Sequence, residues 1–193
     1  MNSRAAVIEP KDFYYLRHGE TDWNREYRGM GQKDIPLNEA GIKQAQRAAV
    51  ILSKEEIGTI CYSPLERARV TAEIISAKVK SPLVEIPELI ECCWGENEGL
   101  IKGQWVDDWI SGVDISGAET YQHFLLRALG AVNKSLKQNG PVLIVAHGGT
   151  FWSIQHFCGL GRYDLRNATP VYLRAPSKEN IPWGFSELAQ LND

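Results

Sequence analysis

Arg17 and His18 stand side by side directly after the apolar run Phe13–Tyr14–Tyr15–Leu16, and His147 follows Val142–Leu143–Ile144–Val145 after a single alanine. Arg67 lies just beyond a second short apolar stretch, Thr59 to Tyr62, and Glu91 follows a third, Leu83 to Ile90. Each residue type suits phosphoryl transfer. Guanidinium forks match phosphate oxygens in a bidentate manner that lysine cannot copy. A neutral imidazole can attack phosphorus, and a protonated one can stabilise charge on the group in flight. A carboxylic acid can protonate a departing oxygen when its site favours the neutral form. The chain lacks a Gly-x-x-x-x-Gly-Lys loop, so magnesium-dependent nucleotide triphosphate chemistry is not indicated.

These residues work together only if the fold brings them together. Strand-like and helix-like stretches alternate along the chain, which predicts an α/β fold: a three-layer α/β/α sandwich with a mostly parallel sheet. Strands are expected at Phe13–Leu16, Thr59–Tyr62, Leu83–Ile90, Val142–Val145 and Val171–Arg174. A polar loop from Gly19 to Asn38 precedes a helix capped by Asn38, with Ile42, Ala45, Ala49 and Leu52 on its apolar face. The run Ser63–Pro64–Leu65–Glu66 predicts a helix capped by Ser63, extending to about Lys78. A long helix is expected over Ala118–Gln138, ending at Asn139–Gly140, and a further one opens at Gly148–Gly149 and runs to about Gly159. In an open parallel sheet, ligands bind outside the carboxyl ends of the strands. Arg17, His18, Arg67, Glu91 and His147 all follow predicted strand ends, so one rim should hold all of them.

The same residues carry a family resemblance. Leu16–Arg17–His18–Gly19–Glu20–Thr21–Asp22–Trp23–Asn24 resembles the opening signature of the histidine phosphatase superfamily, also called the phosphoglycerate-mutase-like family. Gly31, Asp34, Pro36–Leu37, Gly41 and Gln44–Ala45 resemble its next block. Ser63–Pro64–Leu65–Glu66–Arg67–Ala68 with Thr71–Ala72 is similar to its second-arginine motif. Leu89–Ile90–Glu91 with Gly95 and Glu98–Gly99 is similar to its acid-bearing loop. Ala146–His147–Gly148–Gly149–Thr150 resembles the second-histidine motif, and Asn167 stands where a late asparagine is usual. The resemblance implies a phosphoglycerate-mutase-like fold with His18 as the nucleophile that forms a phosphohistidine. Arg17, Arg67 and His147 would hold the phosphoryl oxygens, Asn24 would add a hydrogen bond, and Glu91 would act as general acid and then as base. Gly148 and Gly149 would offer backbone amides to the phosphate, and Gly19 would leave room for it. Glu96 and Glu98 are the carboxylates most easily confused with Glu91. Arg28 is either a phosphate neighbour or a surface arginine.

A phosphatase, a phosphoglycerate-type mutase and a catalytically idle phospho-ligand binding module are the readings that compete. Family mutases carry insertions over the substrate, whereas here about fifty residues separate Glu91 from the fourth strand, most of them in one helix. Gly-Gly-Thr after His147 also stands where mutases more often have Gly-Asn-Ser. Both features favour the phosphatase, acting on phosphate monoesters without metal or other cofactor. Trp152 departs from an arginine common in relatives. The expected organisation is one domain over residues 1–193, with a short insertion at about 96–117 covering the site. Trp105 and Trp109 in that insertion either pack on the core or form an apolar pocket wall.

Cys61 and Arg67 have the spacing of a cysteine-dependent phosphatase loop. The residues between them include Pro64 and Glu66 and no glycine, so backbone amides cannot converge there, and Cys61 reads as a core residue. Cys92 and Cys93 read as a reduced, partly buried pair. His123 and His156 read as structural. With 193 residues and 44% hydrophobic content, the chain can bury a core without disulfides or metal. A charge of −3, from 21 basic and 24 acidic residues, argues against nucleic acid as partner. No apolar run approaches the roughly 20 residues that span a bilayer, and Ala5–Ile8 is too short for a signal-peptide core. The expected partner is a small phosphorylated substrate, with no nucleic acid and no membrane, in a cytoplasmic monomer or homodimer.

Overall fold

The computed structural model describes residues 7–161, 163–178 and 181–188. Its centre is a six-stranded sheet of β1 (Phe13–Arg17), β2 (Thr59–Tyr62), β3 (Leu83–Glu85), β4 (Val142–Ala146), β5 (Pro170–Arg174) and β6 (Gly184–Glu187). The spatial order is β3-β2-β4-β1-β5-β6. The four strands from β3 to β1 run parallel, whereas β5 and β6 are antiparallel additions on the far edge.

Side-chain alternation along β1 builds two cores. Phe13 and Tyr15 face one side, with Cys61 and Ile144, against α5 (Tyr121–Leu136) and α6 (Gly148–Cys158). Tyr14 and Leu16 face the other, with Ile60, Leu143 and Val145, against α2 (Glu39–Leu52) and α3 (Glu66–Val79). β4 is buried at every position, as a strand covered on both faces must be. The predicted three-layer α/β/α arrangement is therefore the observed one. A third apolar cluster joins Cys92, Trp94, Phe124 and Ala128 to Trp109 of α4 (Gln104–Ile110), with Trp105 packed against it.

Several predicted boundaries change. The stretch read as a strand to Ile90 pairs only over Leu83–Glu85 and then turns into a 3₁₀ helix at Pro87–Leu89, because Pro87 has no N–H to give a ladder. Ser63 is not a helix cap: α3 starts at Glu66 after Leu65, which makes no side-chain cap. The loop from Gly19 to Asn38 contains a single turn, α1 (Asp22–Arg25), closed by a capping box between Thr21 and Asn24. The long helix is confined to α5, capped by Thr120 and ending at Lys137 rather than at Asn139–Gly140. On α2 the buried stripe is Gly41, Ala45, Ala48, Ala49 and Leu52, with Ile42 turned outward. α6 ends, as expected, at Gly159, whose φ of 63° is the left-handed conformation glycine tolerates.

Among the described residues, no helix is long and apolar enough to cross a membrane.

Candidate active site

The parallel neighbours β1 and β4 send the chain to opposite faces of the sheet, to α2 and to α6. This divergence opens a crevice at their carboxyl ends. Arg17 pairs in register with Ala146, and the His18 amide donates to the Ala146 carbonyl at 2.9 Å, which sets His18 beside His147. Their ring centroids are 5.3 Å apart. A cavity of about 60 Å³ lies on this rim, and its wall includes Arg17, His18, Asn24, Arg67, Glu91 and Gly148. His147 is fully buried just behind that wall. The rim predicted from sequence thus gathers its residues as expected.

His18 is 2% exposed, and its Nδ1 lies 2.7 Å from the Gly19 carbonyl. A carbonyl only accepts, so Nδ1 carries the proton and Nε2 keeps its lone pair. Burial, reinforced by Arg67 and Arg17, holds the His18 pKa well below 6.5. His18 is therefore a neutral imidazole with a free nitrogen at ordinary pH. His147 is held neutral in the same way, by burial first and then Arg67 and His18. Its Nε2 meets the Ser63 hydroxyl at 2.7 Å, and its carbonyl accepts from the Tyr15 hydroxyl at 2.7 Å.

Arg67 is fully buried at the start of α3 and donates to the carbonyls of Lys33 and Gly31 at 2.9 and 2.8 Å. Arg17 donates to the Leu165 carbonyl at 2.9 Å. Burial lowers both guanidinium pKa values, Arg67 to about 10, and both remain cations near neutrality. Neither forms a salt bridge among the described residues. Among the described residues, four buried nitrogens here have no hydrogen-bond partner: Arg17 Nε, Arg67 Nε, His147 Nδ1 and Trp94 Nε1. Buried cations with spare donors are costly by themselves, and a dianion arriving between them offsets that cost.

Asn24 Oδ1 accepts from the Thr21 amide, the Thr21 hydroxyl and Asn167 Nδ2, each at 3.2 Å. Its carbonyl is thus occupied, and its amide group is the donor it has to offer the cavity. Asn167 also donates to the His18 carbonyl at 2.9 Å. Arg28 instead pairs with Glu26 and donates to the Gly99 carbonyl, away from the cavity wall.

Glu91 is 8% exposed and accepts two backbone amides, Cys92 at Oε1 (3.0 Å) and Gly149 at Oε2 (3.1 Å). This corrects one expectation, since Gly148 and Gly149 both line the cavity but the Gly149 amide serves the carboxylate. A Cβ on Gly149 would stand 2.4 Å from Glu91 Oε1. Gly19 also differs in its reason: a Cβ there would lie 2.6 Å from the Gly41 carbonyl oxygen, so it admits the start of α2 rather than phosphate. Glu98 serves the backbone by accepting from Gln32 and Trp94, and Glu96 is exposed.

Trp109 and Trp105 pack in the third core cluster, and neither lines the cavity; Trp94 and Trp152 do. The segment 96–117 reaches the site through Lys102, whose ammonium stands 5.4 Å from the Trp94 ring centroid. Lys102 still meets solvent, yet it stands in the cleft, where desolvation and Arg17 lower its pKa. Beyond Arg17, Lys102 and Trp152 the cavity opens into a groove of about 1200 Å³. Sequence reasoning missed Ser63 and Lys102. Ser63 follows β2 on the same rim and was findable by position, whereas Lys102 depends on how an irregular segment folds back.

Cys61 is buried in β2, and burial pushes its thiol up to about 11, the reverse of an activated nucleophile. All four cysteines are free, and His123 and His156 are exposed.

A model of the histidine phosphatase superfamily (branch 1) matches residues 13–170. The chain belongs to the histidine phosphatase superfamily. Within that superfamily it is 34% identical over 141 residues to an uncharacterized phosphatase, PhoE, of Bacillus subtilis, covering 72% of each chain. It is 32% identical over 161 residues to a metal-independent phosphoserine phosphatase of Arabidopsis thaliana, covering 76% of this chain and 68% of that one. Among solved structures, a mycobacterial glucosyl-3-phosphoglycerate phosphatase complexed with VO₃ superposes with a TM-score of 0.78 at 25% identity, over 92% of this chain and 98% of the other. A phosphoglycerate mutase from Thermus thermophilus gives 0.72 at 27% identity, over 93% and 99%. Phosphatases and mutases both stand among these relatives.

Proposed function

We propose that this histidine phosphatase superfamily member hydrolyses phosphate monoesters through a phosphohistidine on His18, without a metal ion. The observation that carries the reading is the arrangement around His18: a neutral imidazole with Nε2 free, beside two guanidinium groups whose buried Nε–H donors lack partners among the described residues.

His18 Nε2 attacks phosphorus while the bond from phosphorus to the ester oxygen breaks. Arg17 and Arg67 hold the three non-bridging oxygens as charge redistributes over them. Protonated Glu91 gives its proton to the departing alkoxide, which leaves as the alcohol. The resulting phosphoimidazole keeps its Nδ1 proton on the Gly19 carbonyl. Water then attacks phosphorus, Glu91 accepts one of its protons, the N–P bond breaks, and inorganic phosphate leaves with His18 neutral again.

The wide groove beside the cavity favours hydrolysis over mutase chemistry. A mutase must retain its dephosphorylated intermediate for return transfer, whereas this cavity opens to water through the groove. Trp152 and Lys102 at the junction favour an organic leaving group larger than the phosphate itself. Among the described residues, no group of three or more His, Cys, Asp or Glu side chains is placed to hold a metal. The test is release of inorganic phosphate from an aryl phosphate by the purified protein, with and without EDTA. Chelator-insensitive activity that is absent from His18→Ala supports the reading; activity lost with EDTA and restored by a divalent ion overturns it.

A further inference from the structure

Arg127 lies on α5, outside the cavity wall, yet it is tied to the segment that carries Glu91. Its NH1 donates to the carbonyls of Glu88 at 2.8 Å and Ile90 at 2.7 Å, and NH2 approaches the Glu91 carbonyl at 3.4 Å. These carbonyls lie at the end of the 3₁₀ turn Pro87–Leu89, where helix geometry leaves acceptors without internal partners. The guanidinium therefore closes that turn at the point where the chain straightens into Glu91.

The other edge of the fork is fixed by Glu119, through Nε to Oε1 at 2.9 Å and NH2 to Oε2 at 2.6 Å. Glu119 is itself anchored to the acid-bearing segment, because its amide donates to the Cys93 carbonyl at 2.9 Å. Trp109 Nε1 donates to the Glu119 carbonyl at 2.7 Å, and Ala118 bridges to Trp94. Gln32 Nε2 adds a second donor to the Glu91 carbonyl at 3.1 Å. Arg127 also packs over the Phe124 ring, at 5.2 Å from its centroid, and Phe124 borders Gly149, which holds the Glu91 carboxylate. Both ends of Glu91, backbone and carboxylate, thus lead back to α5.

We infer that Arg127, bridged to Glu119, is a positioning residue that sets the Glu91 carboxyl for proton transfer to the leaving oxygen. The inference rests on the phosphatase reading above. A planar, five-donor fork is needed, since three backbone carbonyls and one carboxylate are engaged at once; lysine has the charge without that geometry.

The distinguishing measurement is the dependence of kcat/KM on the leaving group, because kcat/KM covers only the steps through phosphoenzyme formation. A nitrophenol leaves with little help from an acid, whereas an alkyl alcohol needs the proton. General acid catalysis contributes about 10²- to 10⁴-fold. Arg127→Met and Glu119→Gln should therefore lower kcat/KM by about 100-fold on an alkyl phosphate and by less than about 5-fold on p-nitrophenyl phosphate. Arg127→Lys should restore only part of the alkyl rate. Circular dichroism checks the fold, and if Arg127→Met does not fold, Arg127→Lys carries the same comparison. An equal loss on both substrates, or no loss, overturns the positioning role. A parent protein inactive on both esters overturns instead the phosphatase reading on which the inference stands.

Discussion

His18 can attack only as a neutral imidazole, and the fold enforces that state by burying the ring among cations. The same burial links the site to stability. The His18 and His147 pKa values are held well below 6.5 in the folded protein, whereas in the unfolded chain they return near that value. Below about pH 6.5 the unfolded state binds protons that the folded state refuses, so stability falls as pH falls through that range. Each imidazole contributes at most about 1.4 kcal/mol per pH unit. Urea unfolding between about pH 7.5 and 5.5 should show this drop, with a smaller drop in His147→Gln. A drop of the same size in that variant would mean that His147 is not held neutral. Most of the site's residues were legible from sequence because His18, Arg67, Glu91 and His147 each follow the rim end of a strand or turn. The roles of Gly19 and Gly149 were not legible. Both were assigned to phosphate, yet one faces the Gly41 carbonyl and the other the Glu91 carboxylate. Such contacts join residues far apart in sequence and leave no periodic trace.

At the scale of elements, the start of α6 and the 3₁₀ turn before Glu91 form a joint. The first helical residues bring an amide to the carboxylate, and only an absent side chain lets the two approach. Gly149→Ala would place a methyl group 2.4 Å from Glu91 Oε1 and 2.9 Å from Phe124. The Glu91 carboxyl must then leave its seat. We expect at least about a 100-fold loss of kcat/KM on an alkyl phosphate, in the range of lost general acid catalysis. The α6 helix should remain, since alanine favours helix over glycine by about 1 kcal/mol. Steady-state kinetics alongside circular dichroism checks both halves, and unchanged kinetics would contradict the joint. The strands β1, β2 and β4 were legible as apolar runs. The third run was overextended because Ile86, Leu89 and Ile90 look strand-like while Pro87 blocks the ladder. β6 was missed because Gly184–Glu187 is a half-exposed edge strand with little apolar alternation.

Across the whole molecule, charge is distributed so that the net value conceals the site. The chain carries −3 overall, yet the buried Arg67, the half-buried Arg17, Lys102 and two neutral imidazoles meet at one end of the sheet. Arg17 and His147 are brought together across 130 positions by the parallel pairing of β1 and β4, which sequence patterning implies only through the fold class. The antiparallel sense of β5 is invisible in its own residues, because pairing direction depends on where the chain returns after α6. The central claim is that all these parts serve a covalent intermediate on His18. Rapid mixing with a ³²P-labelled monoester, quenched in alkali, tests it directly. The account predicts protein-bound label on His18 that survives alkali, is released by acid, and is absent from His18→Ala. Turnover by the wild-type enzyme with no such label in the quench, or label retained in His18→Ala, would contradict it.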